Sequence, residues 1–294
     1  MNKRYEFRSN NTEILLNNID NYDVVSLGSE NCFHQIPSFE QIKNLLQSID
    51  PDKEVKIVTP FVPEESLDNM KKLLTDLAAL QRKLSIVLND MGILYFIHRE
   101  KIDCFTVGVG RFLERSYSLI PWNEKILSDE KEYVRESFLQ TNCSDYYKME
   151  MYRGFGVKFF ELNPLEHMEK SVESLKQNSF VVDVHFGNKI VAMSRSCPVK
   201  RYYKAQDINV CPEKCNSSIY AKFKKKWIMP NNTESFEDSY KTDPEIEKVF
   251  PELIIRGNKY LVKSDEKSAI YNSENVDRII IEDWCANYSE KEVL

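Results

Sequence analysis

Short apolar runs recur along the first two-thirds of the chain, and between them the apolar positions change to helical spacing. The runs are Asp23–Leu27, Glu54–Val58, Leu84–Leu88, Cys104–Val107, Val157–Phe160 and Val181–His185. Each is short and mostly apolar, the pattern of a strand buried on both faces of a parallel sheet. Ser38–Phe39–Glu40–Gln41 spells a capping box and leads into Ile42, Leu45, Leu46 and Ile49. Leu67, Met70, Leu74 and Leu77 lay one apolar stripe along a helix, and Leu165, Met168, Val172 and Leu175 repeat the spacing. Strands alternating with helices predict right-handed βαβ units. No complete dinucleotide fingerprint follows the first run, so the expected fold class is α/β, a (β/α) TIM-like barrel.

The pattern changes after Cys215. Lys222–Trp227 is basic and aromatic, and Asn231–Asp243 is polar and loop-like. Leu253–Arg256, Tyr260–Lys263 and Arg278–Glu282 read as short antiparallel strands around Gly257 and Asn258. The expected organisation is a barrel over residues 1–217 and a small β-rich C-terminal extension, residues 218–294, packed on it. A chain of 294 residues suits this, since α/β barrels run to about 250 residues.

Composition narrows the setting. The formal net charge of -6 argues against a surface coated for bulk nucleic-acid binding, while leaving room for a local basic groove. No stretch approaches the ~20 apolar residues of a membrane span, and the N-terminal segment has no apolar core of signal-peptide length. The expectation is a cytoplasmic protein with no membrane association, whose cysteines do not form a disulfide framework.

Polar residues follow several of the expected strands, where barrel enzymes place their sites. Glu30 and Cys32 follow the first, Asn89 and Asp90 the third, and Gly108, Gly110 and Arg111 the fourth. Glu161 and Asn163 follow the fifth, and His185 ends the sixth. Asn89, Asp90, Arg111 and His185 are the candidate catalytic residues. Arg111 suits a bidentate carboxylate or phosphate partner. Gly108-Val109-Gly110 lacks a third glycine and predicts a tight turn with close backbone approach rather than a phosphate cradle.

Cys197, Cys211 and Cys215 are the densest chemistry in the chain, with thirteen residues between the first two and three between the last two. A Cys-x3-Cys step brings two thiolates to one metal, and the longer loop returns a third. Zinc and an iron–sulfur cluster both accept such a set. Cys32 is the candidate fourth ligand, and His34, two residues on, is an alternative ligand or a hydrogen-bonding neighbour. Cys104 reads as a small buried hydrophobe within a strand; Cys143 and Cys285 have no partner at motif spacing. Arg195, Lys200, Arg201, Tyr202, Tyr203 and Lys204, with the Lys222–Trp227 run, interleave cations and aromatic rings as single-stranded RNA contacts would.

The segments SLGSENC, LNDMG, VGVGR and VDVHFGNKIVAMSRSC, in that order and followed by the Cys-x3-Cys, resemble peptidase family U32. The likeness is to its short members, which include two accessory proteins of oxygen-independent ubiquinone hydroxylation, and it runs from about Arg4 to Cys215. It implies a barrel-like fold and a 4Fe-4S cluster on Cys32, Cys197, Cys211 and Cys215. It also implies oxygen-independent hydroxylation of a small molecule or an RNA base, with a small anionic metabolite or RNA as partner. A heterodimer with a related family member is implied too, in which the chain acts as a non-catalytic subunit. Peptidase activity is the remaining alternative, although no His-Glu-x-x-His helix or Gly-x-Ser-x-Gly elbow is present.

Overall fold

The computed structural model describes residues 3–120, 127–165, 167–194, 197–203, 211, 214–216, 218–221 and 251–285. Eight parallel strands close into an α/β TIM-like barrel. They are β1 (Arg4–Ser9), β2 (Val24–Gly28), β3 (Glu54–Thr59), β4 (Leu84–Leu88), β5 (Phe105–Val109), β6 (Val157–Leu162), β7 (Val181–His185) and β12 (Arg278–Glu282). The remaining strands, β8 (Asn188–Met193), β9 (Ile219–Ala221), β10 (Leu253–Arg256) and β11 (Lys259–Lys263), form an antiparallel sheet in the order β8-β11-β10-β9.

Helices cover the outside: α1 (Thr12–Asn18), α2 (Phe39–Ser48), α3 (Leu67–Ala78), α4 (Met91–Arg99), α5 (Glu132–Leu139), α6 (Tyr146–Gly154), α7 (Glu169–Gln177) and the short α8 (Pro198–Tyr202). The expected capping box is present at α2. Ser38 Oγ accepts from the Gln41 amide and Gln41 Oε1 accepts from the Ser38 amide. Ile42, Leu45 and Leu46 of α2 and Met70, Leu74 and Leu77 of α3 are buried against the outward residues of the strands, such as Val25, Leu27, Val55 and Ile57. Each contributes about 1.5–3 kcal/mol relative to exposure. Leu165 and Met168 are buried as expected but precede α7, whose own inward residues include Val172 and Leu175.

All six expected strands are barrel strands, and two further ones complete the closure. β1 pairs with β2 and with β12, and β12 pairs with β7, every pairing parallel. Arg278–Glu282, expected as part of an antiparallel extension, is therefore the eighth barrel strand. Its Ile279 and Ile281 belong to the helix-facing core while Arg278 and Glu282 alternate inward. The hairpin around Gly257 and Asn258 does form, as β10 and β11. The antiparallel sheet draws β8 from before residue 217 and β9 to β11 from after it, so the expected boundary runs through one sheet.

This sheet is carried on the long connection between β7 and β12. It packs across the C-terminal ends of the barrel strands through Phe112, Ile190, Ile254 and Leu261. The connection also carries Cys197, Cys211 and Cys215, so topology sets three thiols at the barrel mouth.

Candidate functional site

Barrel interiors are ordinarily filled by branched aliphatic side chains; this one is largely ionic. Alternate residues within the strands turn inward, and in β1, β3, β6, β7 and β12 several of these carry charge. Lys56 Nζ lies 2.5 Å from Glu6, 3.2 Å from Glu161 and 2.6 Å from Asp183. Arg8 bridges Glu6 at 2.7 Å and Glu161 at 2.6 Å. Apart from Arg8–Glu6, which lies within β1, these pairs join strands that are not neighbours in the sheet, so they cross the lumen. Burial alone would lower the Lys56 ammonium, but Asp183, Glu6 and Glu161 outweigh it and hold it charged. Burial likewise opposes ionisation of Glu161, and Arg8 and Lys56 reverse that effect.

Carboxylate oxygens of Glu6, Glu161 and Asp183 lie within 4.8 Å of one another, close enough to chelate a cation. The Lys56 ammonium already contacts all three. The triad is a neutralised lumen network.

A second ionic layer closes the mouth. Arg111 holds Glu30 in a fork, Nε to Oε2 at 2.9 Å and Nη2 to Oε1 at 2.6 Å, and also bonds Glu282 and the Asn188 carbonyl. Lys259 reaches across from β11 to Glu30 at 2.7 Å and Glu282 at 3.4 Å. Burial would raise the Glu30 carboxyl, but Arg111 and Lys259 bring it down to about 2. Arg111, expected to meet an anionic substrate, is thus fully buried and committed to carboxylates of its own chain.

Two other candidate catalytic residues hold loops in place. Asn89 donates to the Thr59 carbonyl and accepts from the Phe112 amide. Asp90 caps α4 through the Gly92 and Ile93 amides and accepts from Val62. The expected close approach at Gly108 and Gly110 is present: the Phe159 ring and the Asn89 side chain occupy the space a Cβ would need. His185 differs from these. It is buried between Glu161, 3.5 Å from Nε2, and Glu282, 3.6 Å from Nδ1, and neither nitrogen makes a hydrogen bond.

The four candidate ligand cysteines come together although Cys32 lies far from the others in sequence. Cys32 follows β2, Cys197 caps α8 ahead of Pro198, and Cys211 and Cys215 lie before β9. Burial raises the Cys32 thiol to about 11; the His34 amide opposes this, and the neighbouring Cys211 and Cys197 sulfurs add to it. Cys215 hydrogen bonds Cys197, which with the Lys200 and Val199 amides lowers the Cys197 thiol to about 6. The same bond, then burial, then the other three sulfurs push Cys215 far up. The β10–β11 turn approaches this group at Gly257, whose φ of +59° suits glycine, with Cys215 Sγ 3.5 Å from its Cβ position. The His34 side chain is exposed, and its contribution comes from the backbone amide.

Sulfur spacing bears on the metal. A tetrahedral zinc with Zn–S of about 2.3 Å draws its sulfurs to about 3.8 Å from one another. Among the described residues, the group with three ligand atoms mutually within 4.8 Å is the carboxylate triad, and no three of these sulfurs meet that limit. The donor set is all thiol, a set that zinc and an iron–sulfur cluster both accept.

The other cysteines stand apart. Cys104 is exposed just before β5, contrary to the expected buried position, because the strand begins at Phe105. Cys143 is buried and its thiol is pushed up to about 12 by that burial. Cys285 is buried and accepts from Asn188 Nδ2 at 3.2 Å. Of the basic–aromatic stretch, Lys200, Arg201, Tyr202 and Tyr203 are described, with both tyrosines exposed. Arg195, Lys204 and Lys222–Trp227 lie outside the described residues, as does Asn231–Asp243.

Sequence reasoning missed Glu6, Arg8, Lys56, Asp183, Lys259 and Glu282. The signal was present in the strands themselves, as charges two positions apart at Glu6 and Arg8 and at Glu54 and Lys56 of EVKIV, and as the single Asp183 within VVDVH. Compared with models of known protein families, with characterised proteins and with solved structures, the chain matches none.

Proposed function

We propose that this chain is a U32-like protein that holds a 4Fe-4S cluster on Cys32, Cys197, Cys211 and Cys215 and takes part in oxygen-independent hydroxylation of a small molecule or an RNA base. The observation that carries the cluster reading is the meeting of the β2-loop thiol with three thiols from the β7–β12 connection at the barrel mouth. The order of the U32-like segments supports it as well. The hydroxylation reading rests on that resemblance. A cytoplasmic location, where thiols stay reduced, belongs to the same reading.

When bound, the cluster supplies electron transfer or a structural clamp, since four thiolates leave no iron open to substrate. The chain's part is to present deprotonated sulfur. Cys197 does so at a helix N-terminus, helped by the Lys200 and Val199 amides. Of the four candidate catalytic residues, His185 is the one kept, because Asn89, Asp90 and Arg111 commit their polar groups to the fold. That commitment also favours a second reading, a non-catalytic iron–sulfur subunit that works beside a related protein.

Purification without oxygen tests the cluster. The expected result is a brown protein absorbing at about 400 nm, with about four iron and four acid-labile sulfide per chain. A colourless protein with stoichiometric zinc contradicts it. Hydroxylation of a ubiquinone precursor or an RNA base by the loaded protein, alone or with a copurifying relative, tests the activity; no turnover under either condition contradicts that part.

A further inference from the structure

Apart from the thiols lies a cleft of about 960 Å³, walled by Phe112, Tyr117, Phe138, Ile190 and Met193. Tyr117 and Phe138 are exposed and meet edge to face at 4.7 Å. Glu114 also belongs to this wall and is fully buried. Its Oε2 accepts from the Asn163 amide at 2.7 Å and from Asn163 Nδ2 at 2.8 Å. Its Oε1 makes no well-formed hydrogen bond.

Glu6, Glu161, Asp183, Glu30 and Glu282 each touch a lysine or arginine. Glu114 touches none among the described residues, because the nearby Arg111 is committed to Glu30 and Glu282. Burial raises its carboxyl to about 7, with the Asn163 donors and Thr141 opposing the rise. A buried oxygen without a partner is costly, and a donor supplied by a ligand removes that cost. The rest of the cleft sets the ligand's character. Its aromatic and aliphatic wall takes an apolar body; Arg115 and Lys148 also line it, with Asp145 as an opposing carboxylate, a balance that disfavours a cation.

We propose that this cleft is a small-molecule site that takes a mainly apolar, uncharged ligand whose N–H or O–H group donates to Glu114 Oε1. The proposal is independent of the cluster, since no cysteine lines the cleft.

Indole and 1-methylindole are matched probes, the second lacking the donor, and isothermal titration against the full chain reads their affinities. At about pH 8.5, where the Glu114 carboxyl is ionised, the native protein is expected to bind indole about tenfold more tightly than 1-methylindole, the value of one hydrogen bond to a charged group. In Glu114→Gln the two Asn163 donors keep the amide oxygen at the Oε2 position, so an NH2 group takes the place of Oε1. That variant is expected to lose or invert the preference. Phe138→Ala is expected to weaken both probes and keep their ratio. Equal affinity of the native chain for the two probes overturns the proposal, as does failure of both to bind at about millimolar concentration or a preference that survives in Glu114→Gln.

Discussion

The barrel lumen and the thiol group at its mouth both gather reactive side chains, and they satisfy them in opposite ways. In the lumen and mouth layers, Glu6, Glu30, Glu161, Asp183 and Glu282 face Arg8, Lys56, Arg111, Lys259 and Arg278, one cation for each carboxylate. Geometry good enough to chelate a metal is there filled by an ammonium from the same chain. The four thiols are not matched in that way. Among the described residues the Lys200 charge acts on Cys197, the sulfurs otherwise act on one another, and all but Cys197 are disfavoured as thiolates where this is resolved. Clustering of ligand-type residues therefore does not by itself identify a site; how the cluster is neutralised distinguishes the two.

The largest effect is expected where the charges are internally balanced. Lys56→Met leaves three buried carboxylates facing one another and should destabilise the fold by about 3–5 kcal/mol in urea denaturation. A loss under about 1 kcal/mol would remove the contrast between lumen and mouth.

Glu114 sharpens the comparison, as a buried carboxyl outside either kind of neutralisation. Its folded pKa of about 7 lies above the unfolded value, so the folded state keeps its proton longer. Stability from this group is full below about pH 4.3, falls as pH rises toward 7 and levels off above, a change on the order of 3 kcal/mol. Glu114→Gln should lack that fall, which urea midpoints at pH 5 and pH 8 would show; parallel pH dependence in both proteins would place Glu114 among the neutralised groups.

Smaller effects calibrate the two. Ser38→Ala removes the cap of α2, whose hydrogen bonds are to Gln41, and should cost about 1 kcal/mol without changing metal content. Cys104→Ser, at an exposed thiol outside the group, should change stability by less than about 0.5 kcal/mol and leave iron content unaltered.

Much of the fold was legible because six barrel strands are apolar runs bounded by helical periodicity. The first and last strands were not. β1 reads Arg-Tyr-Glu-Phe-Arg-Ser, so its charges conceal a strand whose polar face meets other charges across the lumen. β12 follows a genuine hairpin, and only the closed topology shows that it returns to the barrel. At the site, the cysteines stood out by spacing. Arg111 misled because a solvent-facing arginine and one buried against Glu30 look alike in sequence. Glu114 carried no motif at all, and its character comes from burial without a cation.

The central claim is that Cys32, distant in sequence, joins the other three thiols around one iron–sulfur cluster. Iron and acid-labile sulfide measured on anaerobically purified Cys32→Ala and Cys211→Ala, beside the native chain, test it most directly. Equal and near-complete loss of cluster in both variants is the predicted result; a Cys32→Ala protein that keeps native iron and sulfide would contradict it.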